Sequence, residues 1–180
     1  QESNQGLGHC YLAHLAVHPD RPQVLFTAGA EVPPPGWSRP EGPGCGFYRS
    51  DDQGDHWEAL DSHKGDVWSM AIHPHDTNVM YAGYDRCVIC RSDDGGATWR
   101  KTNTDKVVFP HITMHPTQIV KRVIGLASDP ANPMDVYGAI EVGGLVASRD
   151  GGDNWESITD GHYTRMGPVD LHGVQVNPTS

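Results

Sequence analysis

Apolar residues in this chain come in short runs. Three of the runs end in a polar residue and a proline: His18-Pro19, His73-Pro74 and Asp129-Pro130. Seven residues after each proline stands an aromatic: Phe26, Tyr81, Tyr137. A fourth run, Leu171 to Asn177 before Pro178, starts the same pattern. Short runs separated by Pro, Asp, Asn and Gly clusters predict strands joined by tight turns. In the second unit the pattern predicts strand A over Val67–Ile72 and a turn over His73–Asn78. Strand B follows over Val79–Tyr84 and strand C over Cys87–Ser92. A Gly-rich turn over Asp93–Ala97 then leads into strand D over Thr98–Thr102.

The polar positions repeat as well. The pattern Ser-x-Asp-x-Gly-x-x-Trp occurs as Ser50, Asp52, Gly54, Trp57, then as Ser92, Asp94, Gly96, Trp99, and again as Ser148, Asp150, Gly152, Trp155. The prolines lie 55, 56 and 48 residues apart, enough for four short strands per unit. Repeated four-stranded units of this size predict an all-β chain folded as an antiparallel β-propeller. A β-sandwich does not require the repeated turn. The turn itself reads as structural. Asp accepts backbone N–H bonds, Gly permits a positive φ, and Trp buries a large ring between sheets.

The motif resembles the Asp-box, or bacterial neuraminidase repeat. The whole unit is similar to the propellers of sialidases, xyloglucanases, sortilin-like receptors and the photosystem II assembly factor. The resemblance runs from about Leu12 to Pro178. It implies a scaffold shared by unrelated activities, so it carries fold further than function. It also implies a ring with more blades than this chain holds. Blade 1 is expected over about 9–60 with a 31–44 loop insertion, and blade 2 over 61–103. Blade 3 with its leading loop is expected over 104–160, and the start of a fourth over 161–180. The missing blades would come from the rest of a longer chain or from a second subunit. The family setting implies a secreted or periplasmic protein, although Gln1-Glu2-Ser3-Asn4 opens no signal peptide.

Composition narrows the function classes. The chain has 180 residues and a formal net charge of −10, with 13 Lys+Arg against 23 Asp+Glu. That balance disfavours nucleic acid as a partner. No run approaches the ~20 apolar residues of a membrane helix. With 21 Gly and 14 Pro, turns are plentiful.

Loop lengths point to one face. In an up-and-down meander the A–B and C–D turns share one side, and the B–C and D–A connections share the other. Proline to aromatic is constant, but proline to the turn serine is 31, 18 and 18 residues. Turn Trp to the next proline is 17, 31 and 23. The variation therefore falls on the B–C/D–A face, where loops are free to carry recognition. Trp37, in the proline-stiffened insertion, is a candidate platform for a carbohydrate or protein ligand, or a residue that packs the loop down. His63, Lys64, His162, Tyr163 and Arg165 lie on the same side as further binding candidates. No cofactor is predicted. If a metal ion is held, His111, His115 and His162 are the candidates, though no His-x-His or His-Glu-x-x-His spacing supports them. The turn motif also lacks the extra acidic ligands of a calcium loop.

Counting back from the prolines aligns the openings of strand A. Eight back stand Tyr11, Asp66, Arg122 and Asp170, and six back stand Ala13, Trp68, Ile124 and His172. Strand A is innermost in a propeller, so this set approaches the channel mouth. Asp66 and Asp170 form a candidate acid/base pair, with Arg122 and His172 as accompanying catalytic candidates. Tyr11, Trp68 and Lys121 are candidate binding residues. The plainer alternative is a salt-bridged rim in which Arg122 and Lys121 balance the aspartates. His14, five back, stands where the other units have small residues and reads as a buried histidine.

Cys87-x-x-Cys90 on a strand would point to opposite faces, which disfavours zinc or redox chemistry. Cys45 aligns with Cys87, but neighbouring blades are about 10 Å apart, too far for an easy disulfide. Free buried thiols are expected. No Phe/Tyr-Arg-Ile-Pro segment and no evident arginine triad support a sialidase. Three functions remain. The first is a binding or assembly scaffold acting through the B–C/D–A face. The second is a carbohydrate-active hydrolase or lyase with carboxylates at the channel mouth. The third is a metal-dependent enzyme using the His-rich face. Whether the chain is an enzyme stays open.

Overall fold

The computed structural model describes residues 5–7, 11–30, 46–60, 65–109, 121–159 and 171–177. Thirteen strands run in order: β1 (Tyr11–Val17), β2 (Leu25–Ala30), β3 (Phe47–Ser50), β4 (Glu58–Leu60), β5 (Val67–Ile72), β6 (Met80–Tyr84), β7 (Ile89–Ser92), β8 (Arg100–Lys101), β9 (Asn103–Lys106), β10 (Val123–Ser128), β11 (Val136–Ile140), β12 (Gly144–Ser148) and β13 (Asn154–Ser157). Twelve of them form three antiparallel meanders, β1-β2-β3-β4, β5-β6-β7-β8 and β10-β11-β12-β13. These are the blades of a propeller, and the chain holds only part of the ring. Among the described residues no helix is long and apolar enough to cross a membrane.

Strand A of the second unit has the expected bounds. Its other strands are shorter than their apolar patterns. Residues 85–87 form a 3-10 turn that takes Cys87 out of strand C, and strand D is only Arg100–Lys101. A larger difference is β9. Its polar sequence Asn-Thr-Asp-Lys, expected as loop, pairs in parallel with β13 and makes the third sheet five-stranded. Asn103 donates its backbone N–H to Asp153 O (2.9 Å), and its side chain donates to Asn154 Oδ1 (3.0 Å). An outer strand left open exposes unpaired backbone, and β9 covers it. Gln5 makes the matching parallel bridge to His56 on the first sheet.

The first strand of every sheet skips one residue of its ladder. The shifts fall between Leu12 and His14, Val67 and Ser69, and Val123 and Gly125. The skipped residues are Ala13, Trp68 and Ile124, the set six back from the prolines. A bulge frees a side chain from the alternation of the sheet. In the fourth unit no strand is assigned to residues 171–177. Their backbone nevertheless lies against β10, since a Cβ on Gly125 would come within 2.9 Å of Gly173 Cα and Val174 N.

Two apolar seams hold the blades together. Phe26, Ala28 and Phe47 of the first blade meet Val67, Met70 and Met80 of the second. Tyr81, Cys87 and Ile89 of the second meet Val123, Leu126 and Trp155 of the third. Burying such side chains is worth about 1.5–3 kcal/mol each. On the first blade Leu12 and Leu15 occupy the positions of Val67/Met70 and Val123/Leu126, yet they are 51% and 60% exposed. Their counterparts are buried because a preceding blade covers them.

The three turns share one hydrogen-bond pattern. Ser50, Ser92 and Ser148 each accept the N–H of the Gly four residues on, at 2.8, 2.9 and 2.8 Å. Each serine donates to the neighbouring aspartate, at 2.8, 2.8 and 2.7 Å. Each aspartate accepts the backbone N–H of the residue before the Trp. It also pairs with that residue's side chain: His56, Thr98 or Asn154. Hydrogen bonds to the ionised form hold Asp52 and Asp94 at a pKa of about 2. Burial pushes Asp150 upward, but bonds from Asn154 and Ser148 outweigh it and leave it also at about 2. Trp99 and Trp155 close their turns by donating to Gly96 O and Gly152 O.

Candidate functional site

The inner ends of the second and third blades carry a cluster of polar side chains on the B–C side. The bulge in β5 releases Trp68 from the ladder, and its indole N–H donates to Asp85 Oδ1 at 2.7 Å. Arg122, just before β10, lies over the Trp68 ring with its guanidinium carbon 4.4 Å from the centroid. Its Nη1 donates to Glu141 Oε2 at 3.0 Å, and its Nε lies 3.6 Å from Asp85 Oδ1. Nε is buried and has no hydrogen-bond partner among the described residues. One arginine thus joins two carboxylates and an aromatic ring from two blades, and the cation–π contact adds to the ion pairs.

The backbone around this cluster is strained. Arg86 (φ 59°) and Cys87 (φ 56°) are left-handed in the B–C connection of the second blade. Val142 (φ 50°) is left-handed in that of the third. A β-branched residue there is an outlier costing roughly 1–3 kcal/mol, and such strain collects at working sites. Lys121 Nζ donates to Val142 O at 2.5 Å and lies 5.7 Å from the Phe109 ring. Burial lowers the Lys121 pKa from its usual value. Cys87 N–H donates to Lys121 O (2.7 Å), and Glu141 N–H donates to Arg122 O (2.9 Å). Arg86 is exposed and has no hydrogen bond or ion pair among the described residues.

The candidates named from sequence meet different ends. Trp68, Arg122 and Lys121 gather in or beside the cluster. Asp66 lies at the start of β5 and is 7% exposed. Tyr11 opens β1 and is 65% exposed, and His172 is exposed on 171–177. Asp170, Trp37, His63, Lys64, His111, His115, His162, Tyr163 and Arg165 lie outside the described residues, as does Cys45. The expected rim had Arg122 balancing Asp66 and Asp170. Among the described residues Arg122 meets Asp85 and Glu141, and Asp170 lies outside them. Asp85 was missed in the sequence. Its signal is weak: the first polar residue after the buried run of β6.

Cys87 and Cys90 are free and buried, and burial pushes their thiols up to about 12 and about 11. Among the described residues no group of three or more His, Cys, Asp or Glu is placed to hold a metal ion. His14 is half-buried, and burial lowers its pKa.

A family model for Sortilin-Vps10 (sortilin, neurotensin receptor 3) matches residues 46–166. No curated protein sequence matches the chain. Among solved structures, an ancestral GH74 enzyme is similar at 17% identity and a TM-score of 0.59, over 86% of this chain and 19% of its own. The GH74 xyloglucanase from Xanthomonas campestris is similar at 20% identity and 0.59, over 83% and 23%. YCF48 bound to D1 peptide is similar at 16% identity and 0.53, over 86% and 41%. This chain therefore spans less than half the length of each. Identities this low carry the fold and not the activity. By its family match and its three stacked blades, the chain belongs to the Sortilin-Vps10 family of β-propellers.

Proposed function

We propose that the protein is a binding scaffold whose recognition surface is the B–C/D–A face. The observation behind this reading is the Trp68–Asp85–Arg122–Glu141 cluster beside exposed Arg86. Its side chains are locked to one another and its backbone is strained, as in a preorganised rim. Its two carboxylates already serve Arg122, which suits positioning better than proton transfer. An exposed guanidinium at a rigid aromatic rim suits a ligand that bears carboxylates, such as a peptide. One similar propeller is described as bound to a peptide. The loop insertion 31–44 and the blade boundaries near 60, 103 and 160 belong to the same reading.

The second reading is a carbohydrate-active hydrolase using Asp66 and Asp170. Two of the similar propellers are GH74 enzymes. The test is a titration of fluorescein-labelled acidic peptides and of xyloglucan oligosaccharides, with product analysis. Peptide affinity should fall at least about tenfold in Arg86→Ala and on shortening 31–44, with the fold retained. Turnover of the oligosaccharide that disappears in Asp66→Asn would replace the scaffold by the hydrolase.

A further inference from the structure

Two donors compete for one carboxylate oxygen at the inner end of the seam between the second and third blades. Trp68 donates its indole N–H to Asp85 Oδ1 at 2.7 Å. Arg122 Nε lies 3.6 Å from that same oxygen, beyond hydrogen-bond length. It is buried and unpaired among the described residues. Leaving a buried guanidinium N–H unpaired costs free energy, and the acceptor that would relieve it is one short step away. Trp68 holds the oxygen that Arg122 lacks.

The surrounding contacts fix which side chain can move. Asp85 directly follows β6, and its carbonyl accepts the N–H of Val88 at 3.2 Å. In the same turn Cys87 donates its N–H to Lys121 O of the third blade, at 2.7 Å. Arg122 is anchored as well. Its carbonyl accepts the Glu141 N–H at 2.9 Å, and its Nη1 donates to Glu141 Oε2 at 3.0 Å. Trp68 has no such anchor on its side chain. The ladder skips it, its ring is half-buried, and the indole N–H is its only polar side-chain group. The seam between the first and second blades cannot repeat this arrangement. Ala13 stands there at the place of Trp68, and Asp66 at the place of Arg122.

We propose that Trp68 and Arg122 exchange on Asp85. When the indole swings off the rim, Arg122 keeps Glu141 and brings its Nε onto Asp85 Oδ1, a shift of under about 1 Å. The move gives up the stacking of the guanidinium on the indole ring (4.4 Å) and gains a charge-assisted hydrogen bond. Trp68 is thereby a platform that can leave its place for a ligand without stranding a buried charge. The two blades stay joined through Arg122 meanwhile. The exchange stands on these contacts and does not depend on the scaffold reading.

Trp68→Phe tests it. The change removes the indole N–H and keeps a ring beside the guanidinium, at a half-buried position that tolerates it. The NMR signal of Arg122 Nε–H is identified by its loss in Arg122→Lys. In Trp68→Phe that proton should exchange with solvent at least about tenfold more slowly than in the parent chain. Arg122→Lys should also lower the thermal midpoint by about 2–4 °C more in the Trp68→Phe background than in the parent, for the one bond gained there. Stacking alone predicts the reverse, because phenylalanine is the poorer partner for a cation. With Asp85→Ala in place the extra loss should vanish. An unchanged Nε–H rate, an equal or smaller loss in Trp68→Phe, or an extra loss that survives Asp85→Ala would each overturn the exchange.

Discussion

Tyr81 donates its hydroxyl to the carbonyl of Gly151, 70 residues away, and so ties the second blade to the turn of the third. Gly151 O takes a second bond from Arg91, so removing one donor does not orphan it. Tyr81→Phe should cost about 0.5–1 kcal/mol in urea unfolding. Phe26 fills the same position on the first blade, so the ring itself is tolerated.

Gly152 packs against that same ring. A Cβ on Gly152 would lie 2.3 Å from Tyr81 Cε1, and its φ is +91°. Gly152→Ala should destabilise by about 3 kcal/mol. Gly151→Ala, at φ +75°, carries the same backbone strain but meets only the flexible ends of Arg91 (3.1 Å) and Met134 (3.6 Å), and should cost clearly less in the same unfolding assay.

The turn aspartates set an acid limit. Asp52, Asp94 and Asp150 titrate at about 2 in the folded chain against 3.8 ordinarily. A depressed carboxylate pKa contributes stability above the ordinary value and loses it as pH falls through the folded one. Stability should therefore decline between about pH 4 and pH 2. Replacing Asp94 by Asn should flatten that decline in a series of melts.

His18 adds a second dependence at higher pH. It is buried, its Nδ1 accepts the N–H groups of Asp20 and Arg21, and Arg21 also lies on its Nε2. Burial, then the charge of Arg21, lowers its pKa below 6.5. The folded state thus prefers the neutral ring. That contribution is complete above pH 6.5 and is lost as pH falls toward the folded value. Asp129 accepts the matching N–H groups with a carboxylate. His18→Asp should keep the turn and remove this step from a pH-resolved stability curve.

Val142 is strained where it stands. Val142→Gly relieves a left-handed β-branched residue and should stabilise by about 1 kcal/mol net, raising the midpoint by about 2–4 °C. If the rim is the recognition surface, the same change should weaken peptide binding.

The sequence by itself determined the blades, because the repeat is written in local chemistry. A serine, an aspartate, a glycine and a tryptophan at fixed spacing can close only one kind of turn, and each contact spans about four residues. The His-Pro and Asp-Pro turns are local in the same way. What only the tertiary structure decided lies between units. Trp68 and Arg122 could be placed at the openings of their inner strands by counting, but Asp85 and Glu141 come to Arg122 from connections whose paths no periodicity records. Strand β9 was hidden because a polar Asn-Thr-Asp-Lys segment becomes a strand only when an open edge such as β13 offers it backbone partners. The carboxylates that Arg122 serves depend on how neighbouring sheets stack. Stacking is set by side chains dozens of residues apart, such as Tyr81 and Gly151.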